Sequence, residues 1–210
     1  MQKIIYKDAR SSHVLICLGD STYIHATDDG GVHLRFLFDE MKEIKDDWRI
    51  IRLRALPEEK EEELIRAGIY FIKQSYNHKF LLASDEKSSF CSELAGKIFN
   101  KASIQIFNDL PPHKLTPAHF DQEADKGVDW EDVTDECRKS YIDSDENHHR
   151  IVFDSLAFVI HGGRKRNQTK ELFLGAIETL SPDNGKNIRE EFDKTFSETK
   201  IRFWDQRKDD

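Results

Sequence analysis

The chain has 210 residues, of which 34% are charged and 38% hydrophobic, and its net charge is −8. This length fits one domain, with or without an extension, and is enough to bury a core. An acidic chain without a basic stripe is a poor default partner for nucleic acid or anionic membrane. The longest apolar runs are too short to span a bilayer. The N terminus lacks a signal-peptide pattern, so a cytoplasmic location is expected, with signal-independent export left open.

The first half of the chain predicts a small sheet and one long helix. A β-hairpin is predicted over residues 13–27, and strands are expected at Val32–Leu37 and Trp48–Leu53. Apolar residues at helical spacing predict a helix over 57–74, begun by Pro57.

The second half is predicted to be mostly helical. Phe80–Ala83 is expected to be a short strand or a loop, and Ser88 or Ser89 should cap a helix that runs to about Lys101. Residues 121–146 hold eleven acidic and three basic residues, which predicts a solvated, loop-rich segment. Amphipathic helices are expected at 149–163, 168–181 and 186–203. We therefore divide the chain into a domain at 1–140 and a helical C-terminal extension at 141–210.

One cysteine and two histidines occur where they can form a thiol site. Cys91 lies two residues after the predicted cap Ser89, and the dipole and free N–H groups of a helix start favour a thiolate. His13 and His25 lie at similar distances from the turn at Gly19-Asp20, so paired strands would bring them together. A thiol, a base and a group that orients the base are the components of nucleophilic thiol catalysis.

Each of these residues also has an ordinary structural interpretation. A cysteine at a helix start is commonly structural, and a histidine in a strand is commonly a half-buried residue. Cys17 is expected to be a buried strand residue and Cys137 to be inert; the three cysteines form neither a disulfide framework nor a zinc pattern. No metal is expected. His148, His149 and His161 flank a predicted helix, and no carboxylate or cysteine stands at ligand spacing near them. His33, His78, His113 and His119 are unremarkable.

The same segments resemble the circularly permuted papain-like cysteine hydrolases of the NlpC superfamily. Within that superfamily the chain looks most like the bacterial YiiX/YaeF-like branch and is similar, more distantly, to lecithin:retinol acyltransferase. The resemblance covers roughly residues 11–135. It is carried, in chain order, by His13–Asp20, Tyr23–Ala26, Gly31-Val32, Tyr76-Asn77, Phe90–Leu94 and Leu115–Phe120.

The resemblance implies a fold, a site and a covalent mechanism. The fold would be α+β and permuted papain-like, with a small antiparallel sheet packed on the cysteine helix and a helical C-terminal extension docked on it. Cys91 would be the nucleophile, His13 the base and His25 the third polar residue. Tyr76 and Ser92 would contact substrate. No metal and no organic cofactor would be needed.

The expected function is hydrolysis of an amide bond in a small peptide or peptidoglycan-like substrate, through an acyl-enzyme on Cys91. Members of the YiiX-like branch often carry Glu at the position of His25, whereas the acyltransferase branch carries His, so the substrate stays open. The alternatives are an acyltransferase or lipase of the lecithin:retinol acyltransferase type, and a catalytically silent binding module.

Overall fold

Helices and small sheets both contribute to the fold, as expected for an α+β chain. The computed structural model describes residues 2–19, 21–40, 48–146 and 169–199. Within these ranges the strands are β1 (Ile16–Cys17), β2 (Thr22–Thr27), β3 (Gly31–Phe36), β4 (Ile51–Leu53), β5 (Ser75–Tyr76), β6 (Ser88–Ser89) and β7 (Trp130–Asp132). The helices are α1 (Gln2–Ile5), α2 (Leu37–Glu40), α3 (Glu58–Tyr70), α4 (Cys91–Lys101), α5 (Pro117–Lys126), α6 (Thr134–Glu146), α7 (residues 169–180) and α8 (Pro182–Thr199).

An antiparallel sheet ordered β1-β2-β3 forms the N-terminal part of the fold. The predicted hairpin is present, but its first strand begins at Ile16, so His13 lies three residues ahead of β1. β2 and β3 pair along their whole length, with His25 directly opposite His33. Because directly opposite residues of an antiparallel pair project from one face, these two imidazoles lie side by side.

The cysteine helix α4 is the most deeply buried helix among the described residues. Leu94, Ala95 and Ile98 are at most 1% exposed, and they follow the helical spacing that the sequence predicts. α4 packs on β2 and on α3, and its apolar residues join Ile24 and Ala26 of the sheet in one core. The expected packing of a small antiparallel sheet on the cysteine helix is therefore present.

The predicted start of α4 was one or two residues too early. Ser88 and Ser89 do not cap the helix; they form β6, which pairs in parallel with β5. Phe90 is the last extended residue, and Cys91 is the first residue of the helix. The backbone of both serines is extended and paired with β5, so neither serine lies at the N-cap position of α4.

Helix α3 is shorter than the predicted 57–74. It ends at Tyr70, and the chain then reverses through Lys73, whose φ is +73°. The Lys73 N–H donates to the Val32 carbonyl (2.9 Å), and the Val32 N–H donates to the Gln74 carbonyl (2.8 Å). Residues 71–74 are thus used to join β3 to β5 rather than to extend the helix.

The acidic segment 121–146 is not loop-rich, contrary to expectation. It contains most of α5, all of β7 and all of α6. Arg49 binds both Asp125 and Asp132 at 2.7 Å, and Arg52 binds Glu131 at 2.7 Å. Basic residues distant in the sequence offset the local charge, which a count over neighbouring residues does not register.

Only part of the predicted C-terminal extension falls within the described residues. Helix α6 runs without a break through residue 140, and the division into 1–140 and 141–210 stays a prediction. The helix expected at 149–163 lies outside the described residues. Residues 169–180 are helical as predicted, and α8 begins at Pro182 rather than 186. No helix in the described part of the chain is both long and apolar enough to cross a membrane.

Candidate active site

Cys91 occupies the first turn of α4 and is 8% exposed. The backbone N–H groups of Val14 and Ser92 lie close enough to its sulfur to act towards lowering the pKa of the thiol. The Val14 contact attaches the segment that precedes β1 to the start of α4. His13 precedes Val14 in the chain, so this contact joins the segment that carries the predicted base to the start of α4, and the approach of the His13 ring to the sulfur stays a prediction.

Three histidines of the N-terminal segment and sheet form a continuous hydrogen-bonded chain. His13 Nε2 lies 3.0 Å from His25 Nδ1, and His25 Nε2 lies 2.9 Å from His33 Nε2. His33 Nδ1 lies 3.0 Å from the carbonyl oxygen of Gly31. His25 and His33 are 4% and 8% exposed, so water competes little for these bonds.

Burial moves both the predicted base and the predicted nucleophile towards their neutral forms. Desolvation lowers the pKa of His13 to about 4. Desolvation also raises the pKa of the Cys91 thiol, although the surrounding N–H groups act to lower it. The sequence predicted a thiolate favoured by the helix start. The structure instead favours a neutral Cys91 thiol and an uncharged His13 imidazole near neutral pH, because removal from water penalises the charged forms more than the helix start stabilises them.

The two residues expected to contact substrate are both close to Cys91 but differ in exposure. Tyr76 is half-buried, and desolvation together with the nearby Cys91 raises its pKa to about 12, so its hydroxyl remains a donor. Ser92 is fully buried; its hydroxyl contacts the Cys91 sulfur and donates to the Leu115 carbonyl at 2.9 Å. That placement gives Ser92 a role in supporting the sulfur and in seating α4, and its contact with substrate stays a prediction.

A buried carboxylate fixes the loop that leads into Cys91. Glu93 is 0% exposed, and its two oxygens accept hydrogen bonds from Asn77 Nδ2 (2.8 Å) and Ser84 Oγ (2.9 Å). Lys97 Nζ lies 3.0 Å from Glu93 and also donates to the carbonyls of Asp85 and Ser88. The Glu93 carboxylate and the Lys97 ammonium group thereby attach the loop before Cys91 to the start of α4.

An apolar surface adjoins this loop. The rings of Tyr76 and Phe80 are 5.9 Å apart, and Phe80 and Phe90 are 5.5 Å apart. Phe80 is 48% exposed and Leu82 is 85% exposed. The surface therefore begins at the residue before Cys91 and continues outwards into solvent.

The sequence analysis missed His33 and the structural role of Glu93. Both had a signal. His25 and His33 lie four residues either side of Asp29, the centre of the β2–β3 turn, so a symmetric hairpin pairs them.

Cys17 was expected to be buried but is exposed, whereas Cys137 is half-buried. In the described ranges, no cluster of three or more His, Cys, Asp or Glu side chains is arranged to hold a metal ion.

Comparison with protein-family models gave no match for this chain, and comparisons with curated proteins and with solved structures gave none either. The resemblance to papain-like hydrolases therefore depends on the sequence motifs alone.

Proposed function

We propose that this chain is a cysteine hydrolase of permuted papain-like fold that cleaves an amide bond in a small peptide or peptidoglycan-like substrate. The observation that carries the proposal is the hydrogen bond between His13 and His25, together with the contact of the neighbouring Val14 backbone with a cysteine at the start of a buried helix. A nucleophile, a base and a residue that orients the base are the set that thiol-dependent acyl transfer requires.

In the proposed mechanism His13 acts as a general base from its neutral form. As the Cys91 sulfur attacks the substrate carbonyl, His13 takes the thiol proton, and it then gives that proton to the departing amine. Water hydrolyses the resulting thioester and regenerates the thiol. A base whose pKa is lowered to about 4 by burial is already unprotonated at neutral pH, so no proton has to leave it first.

The negative charge that develops on the substrate oxygen needs donors. The backbone N–H of Cys91 at the start of α4 is one candidate, and the Tyr76 hydroxyl is another, because its raised pKa keeps its proton in place. In this proposal His25 keeps the His13 ring oriented and stabilises the protonated ring by accepting a hydrogen bond from it.

A second function is favoured by the exposed apolar surface formed by Phe80 and Leu82. An acyltransferase or lipase needs an apolar contact for an acyl chain close to its nucleophile, and this surface supplies one. A peptide with an apolar side chain beside the scissile bond would use the same surface. The two functions differ in the bond that is broken and not in the nucleophile.

We expect a covalent adduct on Cys91 when the protein is mixed with small peptide p-nitroanilides or p-nitrophenyl esters. Intact-protein mass spectrometry after acid quench should show the added acyl mass, and peptide mapping should place it on Cys91. Cys91→Ala should abolish the adduct, and His13→Gln should slow its formation about 100-fold or more through loss of the base.

Cys17→Ser is the matched control, because Cys17 is exposed and lies outside the site; its adduct yield should equal that of the unaltered protein. Turnover of phospholipid vesicles without turnover of any peptide amide would favour the acyltransferase. An adduct on Cys17 or Cys137 alone, or none on any cysteine, would contradict both enzymes and favour a binding module.

A further inference from the structure

The histidine chain ends on a group that can only accept a hydrogen bond. The Gly31 carbonyl has no proton to give, so the neighbouring Nδ1 of His33 must carry one. A neutral imidazole has one protonated and one unprotonated nitrogen, and the Nε2 of a neutral His33 is therefore an acceptor. Since His25 Nε2 is the atom that faces it, His25 must donate from Nε2.

The same reasoning continues to the predicted base. A neutral His25 that is protonated on Nε2 has an unprotonated Nδ1, and the atom facing that Nδ1 is His13 Nε2. His13 therefore carries its proton on Nε2, which leaves Nδ1 as its one unprotonated nitrogen. A carbonyl two residues before His33 thus determines which nitrogen of His13 is available to accept a proton.

The anchoring carbonyl is itself held by the packing of β3 against β5. A Cβ at Gly31 would lie 2.3 Å from the Gln74 carbonyl oxygen, so the backbones approach as closely as a glycine allows. The Val32 N–H donates to that same Gln74 oxygen at 2.8 Å. The position of the carbonyl is therefore set by the sheet and not by a mobile turn.

We propose that His33 is a positioning residue of the Cys91 site, which fixes His25 and His13 as Nε2–H tautomers and so reserves His13 Nδ1 for the thiol proton. The catalytic consequence rests on the proposed function, whereas the order of the tautomers does not. In this arrangement His33 acts on His13 through His25.

The tautomers can be measured directly. Long-range proton–nitrogen NMR spectra of the whole protein with ¹⁵N-labelled histidine, recorded near pH 7, distinguish Nδ1–H from Nε2–H rings. We expect Nδ1–H for His33 and Nε2–H for His25 and His13, with resonances assigned from the single variants His33→Gln, His25→Gln and His13→Gln. A neutral His33 protonated on Nε2, or a neutral His13 protonated on Nδ1, would overturn the proposal.

Two substitutions at residue 33 separate positioning from packing. In His33→Gln the amide oxygen can accept the proton of His25 Nε2, whereas His33→Leu fills a similar volume with no acceptor. We expect the rate of Cys91 alkylation by iodoacetamide near pH 7 to fall about tenfold in His33→Leu and to stay within about twofold in His33→Gln. His13 should then show a mixture of tautomers in His33→Leu only.

His113→Leu is the control, since His113 lies in a turn outside the histidine chain; it should leave both the rate and the His13 tautomer unchanged. Equal alkylation rates in His33→Leu and His33→Gln would contradict a positioning role. If the expected tautomers are found but no substrate is turned over, the proposed function fails and the assignment of His33 stands.

Discussion

At the scale of single residues, Glu93 shows how a buried charge can be stabilised beside a reactive cysteine. Its carboxylate has no contact with solvent, yet amide, hydroxyl, backbone N–H and ammonium donors surround it. Lys97 is only 12% exposed in its side chain, and it also donates to two loop carbonyls. Removing one member of such a set leaves the others buried with unmet hydrogen bonds, which costs more than the pair itself contributes.

We expect Glu93→Gln to lower the free energy of unfolding by about 3 kcal/mol, because it leaves the Lys97 ammonium buried without its counter-charge. The measurement is urea denaturation monitored by circular dichroism. Glu62→Gln is the matched control: Glu62 forms the same i,i+4 type of ion pair with Arg66, but both side chains are at least 67% exposed. That substitution should cost about 0.5 kcal/mol or less. Equal costs for the two variants would contradict a buried ionic role for Glu93.

At the scale of elements, the β2–β3 hairpin is tied to β5 at the tightest contact of the site. Gly31 has a φ of +61° and no room for a side chain, because the Gln74 carbonyl lies where its Cβ would be. Gly127, which ends α5, has nearly the same φ of +63° and nothing within 4 Å of its missing Cβ. The two glycines therefore separate the cost of a left-handed backbone from the cost of a steric clash.

We expect Gly127→Ala to destabilise the protein by about 1 kcal/mol, which is the cost of the left-handed conformation for a residue with a Cβ. Gly31→Ala should cost about 3 kcal/mol, since it adds a backbone clash to that strain. It should also slow Cys91 alkylation, because the carbonyl that anchors His33 must shift. Thermal or urea unfolding gives the first comparison and iodoacetamide labelling gives the second. A cost for Gly31→Ala no greater than that for Gly127→Ala would show that the hairpin and β5 can separate without penalty.

At the scale of the whole molecule, the sequence predicts local patterns well and distant partners poorly. The periodicity of Leu94, Ala95 and Ile98 predicts α4. The similar distances of His13 and His25 from the turn predict their contact, which is present although His13 lies ahead of β1 and not within the paired strands. The start of α4 was missed because a two-residue strand pairing replaced a side-chain cap, and such short pairings leave no periodic signal. The acidic segment was misjudged because Arg49 and Arg52 lie about 80 residues away from the carboxylates they bind.

The protonation of the site residues could not be predicted from the sequence for the same reason. A helix start lowers the pKa of a cysteine, and that local argument is correct in direction. The extent of burial depends on every element that covers the site, and here desolvation is the larger effect for both Cys91 and His13. Whether a cysteine and a histidine form an ion pair or a neutral pair is thus a property of the assembled fold.

Burial of His13 makes a prediction about the stability of the whole protein. Its pKa is lowered from 6.5 to about 4 on folding, so between these values the unfolded chain binds a proton that the folded one does not, and stability falls as the pH is lowered. The loss should approach about 3 kcal/mol by pH 4. Other groups titrate in the same window, since burial also lowers the pKa of His119 and the hydrogen bond from Arg52 lowers the pKa of Glu131, so the contribution of His13 has to be isolated by comparison with a variant. Urea unfolding of the unaltered protein and of His13→Gln between these pH values gives the test. As the pH falls, the free energy of unfolding of the unaltered protein should decrease more than that of His13→Gln. A difference that stays constant across the window would mean that His13 titrates alike in the folded and unfolded chains and is not held neutral by burial.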